Sequence, residues 1–160
     1  MIAHYALHDS PLGELMLVCD GNAITDLHIS AGKYVPAVRP DWRHDERHPL
    51  LQQARRELDE YFAGKLREFA VPLAPAGTDF QKCAWAALSR IPFGETRTYG
   101  QQALAMGRPT AVRAVGAANG RNPIGIMIPC HRVIGADGSL SGYAGGLGNK
   151  ELLLKLEGVL

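Results

Sequence analysis

The chain has 160 residues, 46% of them hydrophobic, which is enough to bury a core as one compact domain or two small ones. No apolar run approaches the roughly 18–20 residues of a membrane-crossing helix, and the opening MIAHYALHDSPLG lacks the basic and apolar regions of an export signal. The net charge of +1 hides an asymmetry: residues 1–76 carry 8 Lys and Arg against 11 Asp and Glu (−3), and residues 77–160 carry 9 against 5 (+4), which is either chance or a second half that faces a polyanion while the first does not.

The first thirty residues read as an antiparallel meander. IAHYALHD alternates loosely, SPLG turns, GELMLVCD forms a second run, and DGNA leads into AITDLHI. Residues 31–49 are polar and proline-bearing, and read as a surface connection. A helix is expected at about 50–63, because Leu51, Ala54, Leu58, Tyr61 and Phe62 share one face and Gly64 follows as a stop.

VPLAPAGT, residues 71–78, marks a boundary between a domain at 1–76 and one at 77–160. The capping signature Thr78-x-x-Gln81 then starts a helix carrying Phe80, Ala84, Trp85 and Leu88. A second Thr-x-x-Gln, at Thr98, opens a short helix that stops at Gly107. TAVRAVGAANG makes another short helix ending near Gly120. Two short helices around a Gly- and Pro-bearing turn have the outline of a helix-turn-helix. Ala111, Ala114, Gly116, Ala117 and Ala118 keep the surface of the second helix small, with Arg113 projecting from it. Such a face packs tightly on a neighbouring helix or approaches nucleic acid closely.

NPIGIMIP, residues 122–129, is apolar enough for a buried strand that delivers Cys130 at its end, directly before His131 and Arg132. A thiol becomes a useful nucleophile as the thiolate, and a base or a positive field beside it favours that form. Adjacent residues on an extended strand point to opposite faces. His131 therefore reaches the sulfur only if the chain turns there or a water bridges them. The base also needs an orienting carboxylate, for which Asp137, Glu151 and Glu157 are the local candidates. Cys19 and Cys83 read as structural thiols. The three cysteines, an odd set without framework spacing, fit a reducing compartment, and no zinc-ligand spacing occurs. Asn149 is placed to cap a last helix, KELLLKLEG, with Leu152, Leu153 and Leu156 inward and Glu151 paired to Lys155.

These residues carry a resemblance. DFQ, IPFGETRTYG, AVRAVGAANGRNP, IPCHRVIG, GYAGGL and the closing LEG resemble, in order and spacing, the C-terminal domain of the O6-alkylguanine-DNA alkyltransferases, also called methylated-DNA–protein-cysteine methyltransferases. SPLG and EYFAGKL extend the similarity over nearly the whole chain. It implies an α+β protein: a small N-terminal ribonuclease-H-like antiparallel sheet domain followed by a C-terminal winged-helix-like helix-turn-helix domain. By the same resemblance, Cys130 accepts the alkyl group, His131 deprotonates it through water, and Glu157 orients the histidine. Asn122 braces the site, Tyr99 binds the flipped base and aids proton delivery, and Arg113 fills the gap left in the stack. Backbone groups near Val133 and Ala144 read the guanine edge beside Tyr143, and Ala114 and Gly116 lie on the helix face turned to DNA.

The implied partner is double-stranded DNA carrying O6-alkylguanine, approached from the minor groove with the base flipped out. The implied protein is a cytoplasmic monomer without cofactor and without the structural zinc of some relatives, because Met1 stands at the first zinc cysteine. Gly125, where relatives have bulkier residues, leaves the accepted alkyl size open. Two other readings use the same residues: a non-catalytic lesion-binding or regulatory DNA-binding protein, and a cysteine hydrolase built on Cys130, His131 and Glu157.

Overall fold

The computed structural model describes residues 2–160. Strands β1 (His4–Ser10), β2 (Gly13–Cys19) and β3 (Ile24–Ile29) form the expected antiparallel meander. The first reversal is tight because Gly13 takes φ +92, a value that side-chain-bearing residues rarely adopt. Residues 31–49 are mostly exposed, as expected of a connection, with one difference. Arg43–His44 form β4, which pairs parallel with β1 and completes the sheet order β3-β2-β1-β4. Two exposed polar residues carry no alternation by which a strand can be recognised.

Helix α1 (Pro49–Phe62) packs across β1, β2 and β3. His48 caps it, with Nδ1 accepting from Leu50 N at 3.2 Å, and Pro49 occupies the first turn, where its missing N–H costs nothing. Leu51, Ala54, Leu58 and Tyr61 are buried as the periodicity requires, while Phe62 is only partly covered.

The outer edge of β3 would be an open template for pairing, but two later segments cover it. Residues 72–74 bond to Ile24 (Ile24 N to Pro72 O and Ala74 N to Ile24 O, both 2.8 Å). Residues 123–125 bond to Leu27 (Leu27 N to Pro123 O, 2.8 Å; Gly125 N to Leu27 O, 3.0 Å). The segment that leads to Cys130 is therefore anchored on the N-terminal sheet.

In the second half, α2 (Asp79–Ser89) and α3 (Tyr99–Ala105) both start with complete capping boxes, Thr78–Gln81 and Thr98–Gln101. α3 follows directly on β5 (Arg97–Thr98), and α4 (Val112–Gly120) completes the helix-turn-helix. Trp85 Nε1 donates to Ala118 O at 2.9 Å, and the buried amides of Gln102 and Asn119 exchange two hydrogen bonds of 2.9 and 2.7 Å. These bonds fix α2, α3 and α4 in one register. Beyond them come a single 3₁₀ turn (Cys130–Arg132), β6 (Val133–Ile134) parallel to β5, and α5 (Leu147–Leu156). Among the described residues, no helix is long and apolar enough to cross a membrane.

Two local expectations are corrected. Residues 122–129 are buried in large part but do not form a strand. After the bridge at Ile124 the chain folds on itself, with Met127 N bonded to Gly125 O and Ile128 N to Ile124 O, and Ile126 takes φ +70. Asn122 staples this loop, donating from Nδ2 to Ile128 O (2.8 Å) and accepting from Ile124 N (3.0 Å). A polar side chain thus overrides the extended form suggested by the apolar run. Asn149 is not the cap of α5. Gly146, at φ +98, holds that position, and Asn149 Nδ2 donates back to Gly145 O.

Candidate active site

Cys130 opens the 3₁₀ turn and lines a pocket of about 220 Å³ together with Asn122, Gly125, Tyr143, Ala144 and the Asp26–Ile29 edge of β3. The turn sends the next side chain inward. His131 is fully buried, and its ring bonds away from the sulfur, Nε2 lying 2.8 Å from Glu157 Oε2. Of the three carboxylates considered, the structure therefore selects Glu157. Asp137 is exposed and accepts from Ser139 N, while Glu151 pairs with Lys155 at 3.1 Å.

Glu157 sits one residue past α5 and is 4% exposed, yet it accepts four hydrogen bonds. Besides His131, they come from Arg132 Nε (2.8 Å), Arg132 Nη2 (3.0 Å) and Tyr61 Oη (2.5 Å). Arg132 Nη1 donates to Ile91 O at 2.7 Å, so the guanidinium is itself held. Burial opposes ionisation of Glu157, but the bonds from His131, Arg132 and Tyr61 outweigh it and hold the carboxyl at about 2.

Arg132 already neutralises the carboxylate, and burial pushes His131 below its ordinary value despite Glu157. The imidazole is therefore neutral at neutral pH. An ionised Glu157 only accepts, so Nε2 carries the proton and Nδ1 presents its lone pair. Nδ1 is buried and has no hydrogen-bond partner among the described residues.

At Cys130 opposing influences compete. Burial raises the thiol above its ordinary value, and the Asn122 amide and the positive charge of Lys150 pull it down; burial wins. The resting sulfur is a thiol, and it must lose its proton to act as a nucleophile. Tyr99, at the start of α3, donates from Oη to Ser141 O (2.8 Å), and a Cβ on Gly116 would stand 3.8 Å from its ring. That is ordinary van der Waals contact, so α4 packs beside the ring at this position. Burial raises the Tyr99 and Tyr143 hydroxyls above their ordinary values, keeping both protonated.

Other positions singled out in the sequence fall outside the pocket. Arg113, Ala114 and Ala117 are exposed on α4, a free small-residue face with one cation on it. Val133 is buried directly after the 3₁₀ turn. Two functional groups escaped sequence reasoning. By its spacing Tyr61 belongs to the core face of a helix, and nothing in that spacing points to Glu157. Lys150 reads as an ordinary helix-start cation, yet it is fully buried, donating from Nζ to Val133 O (2.6 Å) and Ser141 O (3.0 Å). Its spacing of three and four from Leu153 and Leu154, both buried, was the one faint signal.

The site is thus a cysteine in a pocket, backed by an oriented, neutral histidine, next to a helix-turn-helix with an exposed small face. Comparison with known proteins agrees on the class. Residues 3–75 match the family described as 6-O-methylguanine DNA methyltransferase, ribonuclease-like domain, and residues 79–159 match the DNA binding domain of the same family. The methylated-DNA–protein-cysteine methyltransferase of Methanosarcina acetivorans is 52% identical over 155 residues, 97% of this chain and 98% of that protein. The protein of that name from Mycobacterium tuberculosis is 50% identical over 154 residues, 96% of this chain and 92% of that one. The crystal structure of Mycobacterium tuberculosis OGT in complex with DNA superposes with a TM-score of 0.88 at 49% identity, covering 96% of this chain and 92% of that one. The chain belongs to the 6-O-methylguanine DNA methyltransferase family.

Proposed function

We propose that this protein repairs DNA by moving an alkyl group from O6 of guanine to Cys130, once per molecule. The observation that carries this reading is the His131–Glu157 bond behind a pocket-lining cysteine, in a chain of this family. His131 Nδ1, buried and without a partner among the described residues, takes the thiol proton through a bridging water, an arrangement in which general-base transfer works. The thiolate forms the S–C bond while the C–O6 bond breaks, and its electron pair moves into the purine. The Tyr99 hydroxyl, whose single proton rests on Ser141 O, turns from that carbonyl to the departing base, gives the base its proton and is reprotonated from solvent. The thioether left on Cys130 resists water, so the molecule is spent.

The target atom is hidden inside the duplex, and the nucleotide has to turn out at a cost of a few kcal/mol. The exposed Ala114 and Ala117 let α4 approach the minor groove closely, with Gly116 beside the Tyr99 ring, and Arg113 occupies the space the base vacates. Backbone groups at Val133 and Ala144 meet the guanine edge beside Tyr143, and Asn122 holds the loop below the sulfur. The division of labour places the sheet domain at 1–76 and the DNA-binding domain at 77–160. A monomer resident in the cytoplasm completes the reading.

Incubation with a duplex containing one O6-methylguanine, followed by intact-mass measurement and adduct mapping, tests it. One added methyl on Cys130, absent in Cys130→Ala, is expected. Tight binding without a mass change would make the protein a lesion sensor, and repeated turnover of an acyl substrate would make it a hydrolase.

A further inference from the structure

We propose that Tyr34 and Arg121 form a gate at the rim of the Cys130 pocket, and that this gate sets the largest alkyl group the protein removes. The inference rests on Cys130 as the acceptor. The pocket does not end at the sulfur: it continues between the N-terminal sheet edge and the end of α4, and both gate residues line it. Tyr34 is 60% exposed, unusual for a tyrosine beside a pocket, and the Arg121 guanidinium lies 4.2 Å from its ring centre.

The backbone at Tyr34 has φ +59, a left-handed conformation uncommon for a bulky residue. Strain of this kind persists only where the surroundings hold it. The holding contacts lie just before Tyr34 in the chain. Lys33 N donates to Ala144 O at 2.8 Å, and a Cβ on Gly32 would come within 2.8 Å of the same oxygen. The loop is therefore locked to the segment carrying Tyr143 and Ala144, while the Tyr34 ring is kept at the rim by a cation rather than by core packing.

The chemistry follows from this placement. With O6 against Cys130, a methyl group fits between oxygen and sulfur. A longer or aromatic substituent must run on along the pocket, and it meets Tyr34 and Arg121. Gly125, also on the wall, adds no side chain to obstruct it. Passage of a bulky group then requires the tyrosine to leave its guanidinium partner.

The test measures single-turnover rates with two duplexes of one sequence, one carrying O6-methylguanine and the other O6-benzylguanine. The readout is the benzyl-to-methyl rate ratio. Tyr34→Gly removes the ring and suits the left-handed backbone, Arg121→Ala removes the partner, and Tyr34→Phe keeps the gate. The ratio is expected to rise about tenfold or more in Tyr34→Gly, and in the same direction in Arg121→Ala, while Tyr34→Phe stays near wild type. An unchanged ratio in Tyr34→Gly, or equal loss of both rates, would overturn the gate and leave Cys130 as acceptor intact. Failure of Cys130 in the wild type to take up methyl from the first duplex or benzyl from the second would instead overturn the acceptor assignment.

Discussion

Tyr61, on a helix of the N-terminal domain, donates its hydroxyl proton to Glu157, 96 residues later and beyond the last helix. The two domains therefore share the group that orients the candidate base. Tyr61→Phe keeps the ring, which packs with Phe62, Phe69 and Phe93, and deletes only this bond. A hydrogen bond to a buried charge contributes about 1.5–3 kcal/mol, so the urea midpoint should fall by a corresponding amount. Because Arg132 still holds both carboxylate oxygens, methyl transfer should slow by only about tenfold. A variant as stable as wild type would show that the bond contributes nothing net.

The charge network gives a signed dependence of stability on pH. Glu157 is held at about 2 against an ordinary 4.5, so its contribution is complete above 4.5 and drains away as pH falls toward 2. That shift amounts to about 3 kcal/mol. His131 is lowered from 6.5, so below that pH the unfolded chain takes up a proton that the folded protein refuses, and stability falls there too. Urea midpoints taken from about pH 7 downward should decline in two stages, the first beginning near the ordinary histidine value and the second near the carboxylate value. Glu157→Gln should shrink the second stage, leaving only what Asp20 and Asp137, both lowered by local hydrogen bonds, contribute. It should also destabilise by about 3–5 kcal/mol at neutral pH, because Arg132 is left as an unpaired buried charge.

Lys150 joins α5 to two segments at once, and its second acceptor, Ser141 O, also receives the Tyr99 hydroxyl. Lys150→Met retains most of the buried stem and removes both bonds. Loss of the fixed carbonyl should free the 135–142 loop and misplace Tyr99, slowing methyl transfer by about 10- to 100-fold. Hydrogen exchange of that loop should accelerate in parallel. A normal rate with a loosened loop would show that Tyr99 does not depend on Ser141.

What the sequence reveals and what it hides divide along physical lines. The meander, both capping boxes and the α1 face follow from local spacing, and all appear as expected. The Cys130–His131 pair stands out because the chemistry of the neighbouring residues is visible without a fold. The strand expected at 122–129 fails because hydrophobicity reports burial but not conformation, and the Asn122 side chain bonds that curl the segment leave no periodic trace. Glu157 is one of three carboxylates on spacing alone and becomes unique only when Arg132 and Tyr61 are seen converging on it. Lys150 is harder to read for the converse reason, since the two carbonyls that satisfy it, 17 and 9 residues earlier, lie outside any helix and leave no periodic trace.

The role proposed for Arg113 can be tested separately from the chemistry at the sulfur. It is exposed on α4, away from the pocket, so its removal should leave the Cys130 network untouched. Arg113→Ala should slow methyl transfer from a duplex by about tenfold or more, because the unstacked state loses the side chain that fills it. Transfer from free O6-benzylguanine, which needs no flipping, should match wild type. Raising the salt concentration should weaken duplex binding of both proteins, with a shallower slope for the variant if Arg113 also neutralises a phosphate. Rates measured on the two substrates decide the matter together. Equal losses on duplex and free base would place Arg113 in the support of the pocket, whereas a loss confined to the duplex assigns it to holding the base out of the stack.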